Sequence, residues 1–474
     1  MTQTIQTDLC VIGAGSGGLS VAAGAAQMGA RVVLIEKNKM GGDCLNYGCV
    51  PSKSLLAAAK AAYHSREAAK YGVHCKGVTV DFKAVHDHVH DVIARIAPHD
   101  SVERFEKLGV KVVLGSARFV NAKTITVNKT QITAKRIILA CGSSPVIPSI
   151  PGLDTIPFLT NETIFSLTQC PSHLIVIGGG PIGIEMAQAH RRLGAKVTVI
   201  QSHFILPRDD VELVEILRQQ LKSEGIEILE NAQVTSLTKK KAQVEVAVKV
   251  GDAQKRITGT HVLVATGRKP NIGELNLEAA GVNYHPRGIM VDNRLRTNIP
   301  HIYAIGDCSG GPLFTHIANY HAGLIIREVL FKVPAKTNYA ALPWTTYTDP
   351  ELAQIGLTLT SAQEQYKDIQ VLRFPLVEND RAQAERSTNG LIKVITNKSG
   401  QVLGASIVGP HAGELLLPWG LAIMQKMKLS VLAQSIVPYP TLSEISKSVA
   451  GSYYTPKLFS TRVQKLVRFL LRFP

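Results

Sequence analysis

At 474 residues, with 45% hydrophobic and 19% charged residues, the chain exceeds one ordinary core and is too apolar for disorder, leaving a globular protein of two to four domains. The 52 Lys and Arg against 36 Asp and Glu, a formal +16, invite anionic partners, but aromatic residues are only 5% and no nucleic-acid-binding motif is present. Seven scattered cysteines exclude a secreted disulfide framework, no apolar run is long enough to span a membrane, and the polar start does not read as a cleaved signal, so the cytosol is the expected compartment.

Residues Asp8-Leu-Cys-Val-Ile-Gly13-Ala-Gly15-Ser-Gly-Gly18 predict a strand, a tight turn and the start of an alanine-rich helix running to Gly29. A second strand, 31–35, then ends at Glu36. This is a dinucleotide-binding fingerprint in full context: glycines let a pyrophosphate approach a helix N-terminus, and the acid accepts hydrogen bonds from a ribose.

Next comes Gly41-Gly42-Asp43-Cys44-Leu-Asn-Tyr-Gly-Cys49-Val-Pro51-Ser52-Lys53-Ser. Val50 precedes a proline, which disfavours helix there, so the following helix is predicted to start at Pro51. Cys49 then sits at a helix N-terminus, where unpaired N–H groups favour a thiolate. The reading is a redox-active pair; the alternatives are buried structural cysteines or half a zinc site. The second alternative lacks another Cys/His pair with matching spacing.

Two apolar strands end in small-residue loops, Ile137-Ile-Leu-Ala-Cys-Gly142-Ser-Ser-Pro145 and Val262-Leu-Val-Ala-Thr-Gly267-Arg-Lys-Pro270, and boundaries are expected near 145 and 270. Between them, His173-Leu-Ile-Val-Ile-Gly178-Gly-Gly180-Pro-Ile-Gly183 repeats the first fingerprint at a constant offset of 165 positions. With both glycine sets intact, two bound dinucleotides are expected. The same offset carries Glu36 onto Gln201, at the end of the predicted strand 196–200. An amide there, followed by Ser202, His203 and Arg208, removes the repulsion an acid would exert on a 2′-phosphate, so NADPH is favoured over NADH. Glu185 either reaches this site or is an ordinary solvated helix residue. A further strand, 301–305, leads into Gly306-Asp307, whose carboxylate either holds a sugar hydroxyl or forms the turn.

From about residue 335 the sequence turns β-rich around Trp344–Tyr347 and 391–408, with a helical run opening over 410–414. The last segment carries Lys457, Arg462, Lys465, Arg468 and Arg472 with no acid, among Val463, Leu466, Val467, Phe469, Leu470 and Leu471. That pattern suits a basic amphipathic helix, placed either on anionic lipid or packed on its own dimer.

The ordered set of two fingerprints, Cys-x4-Cys, Ala-Thr-Gly-Arg-x-Pro-Asn and Ile-Gly-Asp resembles the FAD-dependent pyridine nucleotide–disulfide oxidoreductases, which include dihydrolipoamide dehydrogenase, glutathione reductase and mercuric reductase. The resemblance spans about residues 5–450. It implies an α/β chain with two Rossmann-like dinucleotide-binding domains, each a three-layer ββα arrangement, and a C-terminal α+β dimerisation domain. The expected bounds are 1–145 with 271–334 for FAD, 146–270 for NAD(P), 335–453 for the homodimer and 454–474 for the tail. FAD is expected on Gly13, Gly15, Gly18, Glu36, Gly42, Ser52, Lys53, Gly142 and Asp307, and the nicotinamide nucleotide on Gly178, Gly180, Gly183, Gln201 and Gly267. By the same resemblance, Cys49 lies beside the flavin as the charge-transfer thiol and Cys44 is the interchange thiol, while Lys53 and Glu185 pair next to the flavin.

One position departs from the family. In Val437-Pro-Tyr439-Pro-Thr-Leu-Ser-Glu444, most disulfide-reducing members carry histidine where Tyr439 stands, paired with the glutamate five residues on. A phenol with an ordinary pKa near 10 is a poor base at neutral pH. Mercuric reductase shares the tyrosine, although neither its C-terminal cysteine pair nor its N-terminal metal-binding domain is found here. The expected activity is electron transfer from NAD(P)H through FAD and Cys44–Cys49 to a thiol-reactive acceptor, a metal ion or a disulfide, with no resident metal. The alternatives are a dihydrolipoamide dehydrogenase and a membrane-surface electron-transfer component serving a quinone or membrane protein through residues 457–474.

Overall fold

The computed structural model describes residues 3–473, so the extreme ends of the first and last predicted segments lie outside it. The chain forms two compact units, one of residues 1–178, 192–196 and 233–337, the other of 179–191, 197–232 and 338–474.

The first unit is built on β1 (Gln3–Ile12), β2 (Val32–Glu36), β3 (Val110–Leu114) and β4 (Thr130–Leu139). β2 pairs in parallel with β1 and β3, and β1 with β4 along its whole length. The far edge of β4 is shared: its first half takes the antiparallel strand Thr124–Val127, and its last residues take β5 (Ile302–Ala304) in parallel. Period-two alternation decides the layers. Cys10, Ile12, Val33, Ile35, Ile137 and Leu139 face one way, against Phe119 and Ile125 of the antiparallel excursion. Leu9, Val11, Leu34 and Ile138 face the other, against α1 (Ser16–Gln27) and a later helix, α4 (Thr315–Val329). Burial on both faces, worth about 1.5–3 kcal/mol per large aliphatic side chain, explains why residues 9–12, 32–35 and 137–139 are unbroken apolar runs within these strands. The result is the expected ββα layering.

Within this unit the strand His173–Ile177 pairs in parallel with His261–Val264, and in the second unit residues 198–200 pair in parallel with Glu227–Leu229. The strand predicted at 196–200 is observed over those residues. The second unit also holds the antiparallel sheet of Pro343–Thr346, Glu351–Gly356, Val402–Gly409, Leu391–Asn397 and Ile369–Pro375, paired in that order. Trp419, Ile445 and Val449 belong to the core of this sheet, which seats the helix Glu444–Ser452. The helical run expected over 410–414 starts later, as a short turn at Glu414–Leu416 and a helix at Leu417–Met424, with proline second in its first turn. A buried ion pair, Lys393 Nζ to Asp210 Oδ2 at 2.7 Å, ties this sheet to the cap of the helix Val211–Ser223.

Candidate active site

The turn after β1 is closed by contact. A methyl group on Gly18 would lie 1.8 Å from the Gly13 carbonyl oxygen, so α1 crosses the turn at a distance only glycine permits. Glu36, buried at the end of β2, accepts the Ala14 N–H at 2.6 Å through one oxygen and the Asn38 N–H at 2.7 Å through the other. Its carboxylate is therefore aimed at the helix N-terminus by two backbone amides. The second fingerprint repeats the device: the Gln201 side-chain oxygen accepts the Gly179 N–H at 2.8 Å. Ala14 and Gly179, like Glu36 and Gln201, stand 165 positions apart. With its oxygen engaged, the Gln201 amide has its NH2 group as the donor left to offer a ligand, and Ser202, His203 and Arg208 further along the chain are exposed. Glu185 is buried and accepts the Tyr347 N–H at 2.9 Å, which overturns the reading of an ordinary solvated helix residue.

Asp307 does more than shape its turn. The Ser143 hydroxyl donates to its carboxylate at 2.5 Å and in turn accepts from Arg268 Nε at 2.8 Å. Arg268 also donates to the Ser143 carbonyl at 2.7 Å and lies 3.3 Å from Asp43 Oδ1. Burial pushes the Asp307 carboxyl upward, and the Ser143 hydrogen bond and the Arg268 charge oppose it. Asp43, Ser143 and Arg268 were not among the residues expected from sequence. Each stood inside a quoted motif, but only the fold shows that the three motifs share one hydrogen-bonded cluster beside Gly142.

The cysteine pair is carried by two adjoining helices, α2 (Gly42–Asn46) and α3 (Cys49–Glu67). Cys49 is the first residue of α3, two positions ahead of the expected start at Pro51. The first turn has no intrahelical partner for its N–H groups, so a proline in the third position sacrifices nothing and the preference of Val50 is overridden. Cys44 is half-buried, Cys49 is exposed, and both are free thiols. The Cys49 thiol is pushed down to about 6, first by a hydrogen bond from Cys44, then by one from Thr315 and by the charge of Lys53, with burial working against them. Cys44, which donates its hydrogen bond to Cys49 and is desolvated, is driven the opposite way, well above the ordinary thiol range. The pair is thus polarised: a thiolate at Cys49 and a thiol at Cys44.

Thr315 Oγ1 lies 3.3 Å from Cys49 Sγ, at the start of α4, 266 positions away, and nothing in its local sequence marks it. A Thr315→Val enzyme is expected to move the Cys49 midpoint from about 6 toward about 7, since one hydrogen bond to the charged form is lost. The pH profile of iodoacetamide alkylation on the reduced enzyme reads this directly, and an unmoved midpoint would leave Cys44 as the whole cause. Ser52 donates to the Cys49 carbonyl at 3.2 Å, and Lys53 donates to the Ser52 hydroxyl at 3.3 Å.

In the second unit, Tyr439 is exposed and its hydroxyl donates to Asp380 Oδ2 at 2.8 Å. That bond and the Asp380 charge push the phenol above its usual value of 10.0. Glu444 opens its helix and accepts the Thr441 N–H at 3.3 Å. Asp380 was not expected from sequence either.

A nucleotide fold, its echo further along the chain and a polarised dithiol between them define a class: dinucleotide-dependent oxidoreductases that work through a cysteine pair. Comparison with known proteins makes this specific. Residues 7–322 match the family model described as pyridine nucleotide-disulphide oxidoreductase, and residues 342–450 match the dimerisation domain of the same family. The chain belongs to the pyridine nucleotide-disulphide oxidoreductase family, and it is a flavoprotein enzyme. It is 35% identical to a dihydrolipoyl dehydrogenase of Geobacillus stearothermophilus, covering 94% of this chain and 96% of that one. It is 34% identical to a mercuric reductase of Bacillus cereus, covering 92% of this chain and 70% of the relative. Among solved structures it is similar to the HOCl-induced flavoprotein disulfide reductase RclA from Escherichia coli, with a TM-score of 0.85, 28% identity and coverage of 94% and 99%.

Family membership carries FAD and a nicotinamide nucleotide, and the dimerisation domain supports a homodimer. The residues present fit FAD. A methyl on Gly42 would sit 2.7 Å from the Gly15 Cα, so the two loops meet backbone to backbone, while one on Gly142 would meet nothing within 4 Å. Glu36, already aimed at the same turn, suits a ribose.

Proposed function

We propose that this enzyme is an NADPH-preferring reductase that delivers electrons through Cys44 and Cys49 to a soft metal ion more readily than to a small disulfide. FAD, when bound, supplies the two-electron link between the nicotinamide and the cysteine pair. On this reading residues 1–145 with 271–334 hold FAD, 146–270 hold NADPH, and 335–453 join two copies so that Tyr439 and Glu444 serve the partner's cysteines. Lys53 and Glu185 flank the reacting rings.

The observation that carries the proposal is Tyr439, whose hydroxyl donates to Asp380 Oδ2 at 2.8 Å. Attack on a disulfide requires a thiolate at the interchange position, but Cys44 holds its proton tightly. Most disulfide-reducing members of the family meet this need with a histidine near neutrality, and Tyr439, with its phenol pushed upward by Asp380, is no such base. A soft metal ion displaces the thiol proton as it binds and needs no shuttle. Cys44 and Cys49 then act as two thiolate ligands, and the two electrons of the dithiol pass to the ion as the sulfurs rejoin.

The test is NADPH oxidation by the FAD-loaded enzyme with mercuric and cupric ions, lipoamide, glutathione disulfide and quinones as acceptors. A metal ion is expected to give the highest kcat/KM. Robust turnover of dihydrolipoamide with NAD would overturn the proposal in favour of a dihydrolipoamide dehydrogenase. A Tyr439→His enzyme is expected to gain at least about tenfold on lipoamide, and no gain would mean that the acceptor pocket sets the choice. The exposed basic tail favours a second reading, in which the acceptor is a quinone or protein carried at a membrane surface.

A further inference from the structure

We infer that residues 457–473 dock this enzyme on an anionic phospholipid surface, with the helix α5 (Thr461–Leu470) lying flat in the headgroup layer. The inference stands whichever acceptor the cysteine pair serves. Ser460 caps the helix, its hydroxyl accepting the Val463 N–H at 3.5 Å. Val463, Leu466, Val467 and Leu470 recur at i, i+3, i+4 and i+7 and form one apolar stripe, which Leu471 and Phe473 prolong. Lys465, Arg468 and Arg472 recur at i, i+3 and i+7 on the opposite side. The stripe is bare: Leu466 is 53%, Leu470 55% and Leu471 79% exposed. All of this lies beyond residue 450, where the match to the family's dimerisation domain ends.

Charge selects the occupant. The segment holds Lys457, Arg462, Lys465, Arg468 and Arg472 without one acid, and so supplies five charges of the chain's net +16. A second copy of the same tail would bring like charge to like charge. Free phosphate would satisfy the cations and leave the apolar stripe in water. A bilayer containing anionic lipid answers both faces, with headgroups for the arginines and acyl chains for the leucines. The helix lies on the surface and does not cross it: ten residues rise about 15 Å, half of the roughly 30 Å hydrocarbon core. No helix among the described residues is long and apolar enough to span.

The test is flotation of the full-length, FAD-loaded enzyme with vesicles of phosphatidylcholine alone or with roughly 30% phosphatidylglycerol. The expected result is at least a tenfold preference for the anionic vesicles, unaffected by inorganic phosphate. A Leu466→Glu/Leu470→Glu enzyme should lose that binding, and an Arg468→Gln/Arg472→Gln enzyme should weaken it and flatten its salt dependence. Both variants should keep wild-type NADPH oxidation with a soluble acceptor, which verifies folding and separates this inference from the choice of acceptor. Equal partition onto neutral vesicles, unchanged binding by the Leu466→Glu/Leu470→Glu enzyme, or dissociation of the dimer by those substitutions would each overturn it. The last outcome would assign the stripe to the subunit interface.

Discussion

A Cys49→Ser enzyme folds and loads FAD, yet reduces its natural acceptor with NADPH at a rate lower by at least on the order of 10³-fold. The expectation follows from how the two sulfurs divide the work. With its midpoint near 6, Cys49 is ionised at about nine sites in ten at pH 7, where an ordinary thiol would be ionised at only a few in a hundred. A serine hydroxyl in the same place neither ionises nor forms a disulfide with Cys44. An artificial quinone that draws electrons without the thiols should keep its rate in this variant, so that lost acceptor reduction with retained quinone reduction isolates the pair. The sign of the pH dependence is fixed. The thiolate exists above about pH 6 and is lost below it, so alkylation of Cys49 should fall tenfold per pH step on the acid side and stay flat from pH 7 upward. Because the leading cause of the low midpoint is the hydrogen bond from Cys44, Cys44→Ala should raise the midpoint. Cys44→Ser, which keeps a donor, should raise it less. Acceptor turnover surviving Cys49→Ser would remove the relay altogether.

Why these parts and not others could be read beforehand is a matter of where the information is stored. The fingerprints were legible because their chemistry is local: Gly13 to Gly18 must turn within six residues, and Glu36 follows by one strand and one helix. The duplication made the second turn legible for the same reason, whereas the backbone N–H that Glu36 and Gln201 each accept is seen only in the fold. Thr315 was not legible, because it meets Cys49 only after the whole excursion 110–304 has placed α4 against α1. Arg268 lay in a quoted motif, but its link to Asp43, Ser143 and Asp307 depends on three chain segments ending at one place. Asp380 is hidden likewise, 59 positions from the tyrosine it polarises. The start of α3 was misjudged for a smaller reason: the pre-proline preference is weak beside a helix whose first turn needs no N–H. Local motifs therefore singled out the two sulfurs, and long-range contacts adjust their acidity.

Gln201→Glu is expected to raise KM for NADPH by about 10²-fold while leaving kcat and the use of NADH close to wild type. The substitution is nearly isosteric, and the same chain shows that a glutamate is tolerated in this frame: Glu36 accepts the Ala14 N–H where Gln201 accepts that of Gly179. The backbone bond that orients the side chain should survive, so thermal stability should not move. What changes is the other half of the group, from an NH2 donor to a second carboxylate oxygen, which on the proposed NADPH reading meets the 2′-phosphate. Two like charges about 4 Å apart repel by about 4 kcal/mol at an effective dielectric of 20, and salt trims this toward the roughly 2.8 kcal/mol that a 10²-fold change represents. The penalty should therefore shrink at high ionic strength, a dependence that a loss of shape complementarity would not show. Arg208→Ala supplies the opposite control, removing attraction without adding repulsion, with a smaller rise in KM for NADPH and none for NADH. If Gln201→Glu leaves the nicotinamide preference where it was, the phosphate is held elsewhere and the assignment of this position fails, whatever Arg208→Ala does.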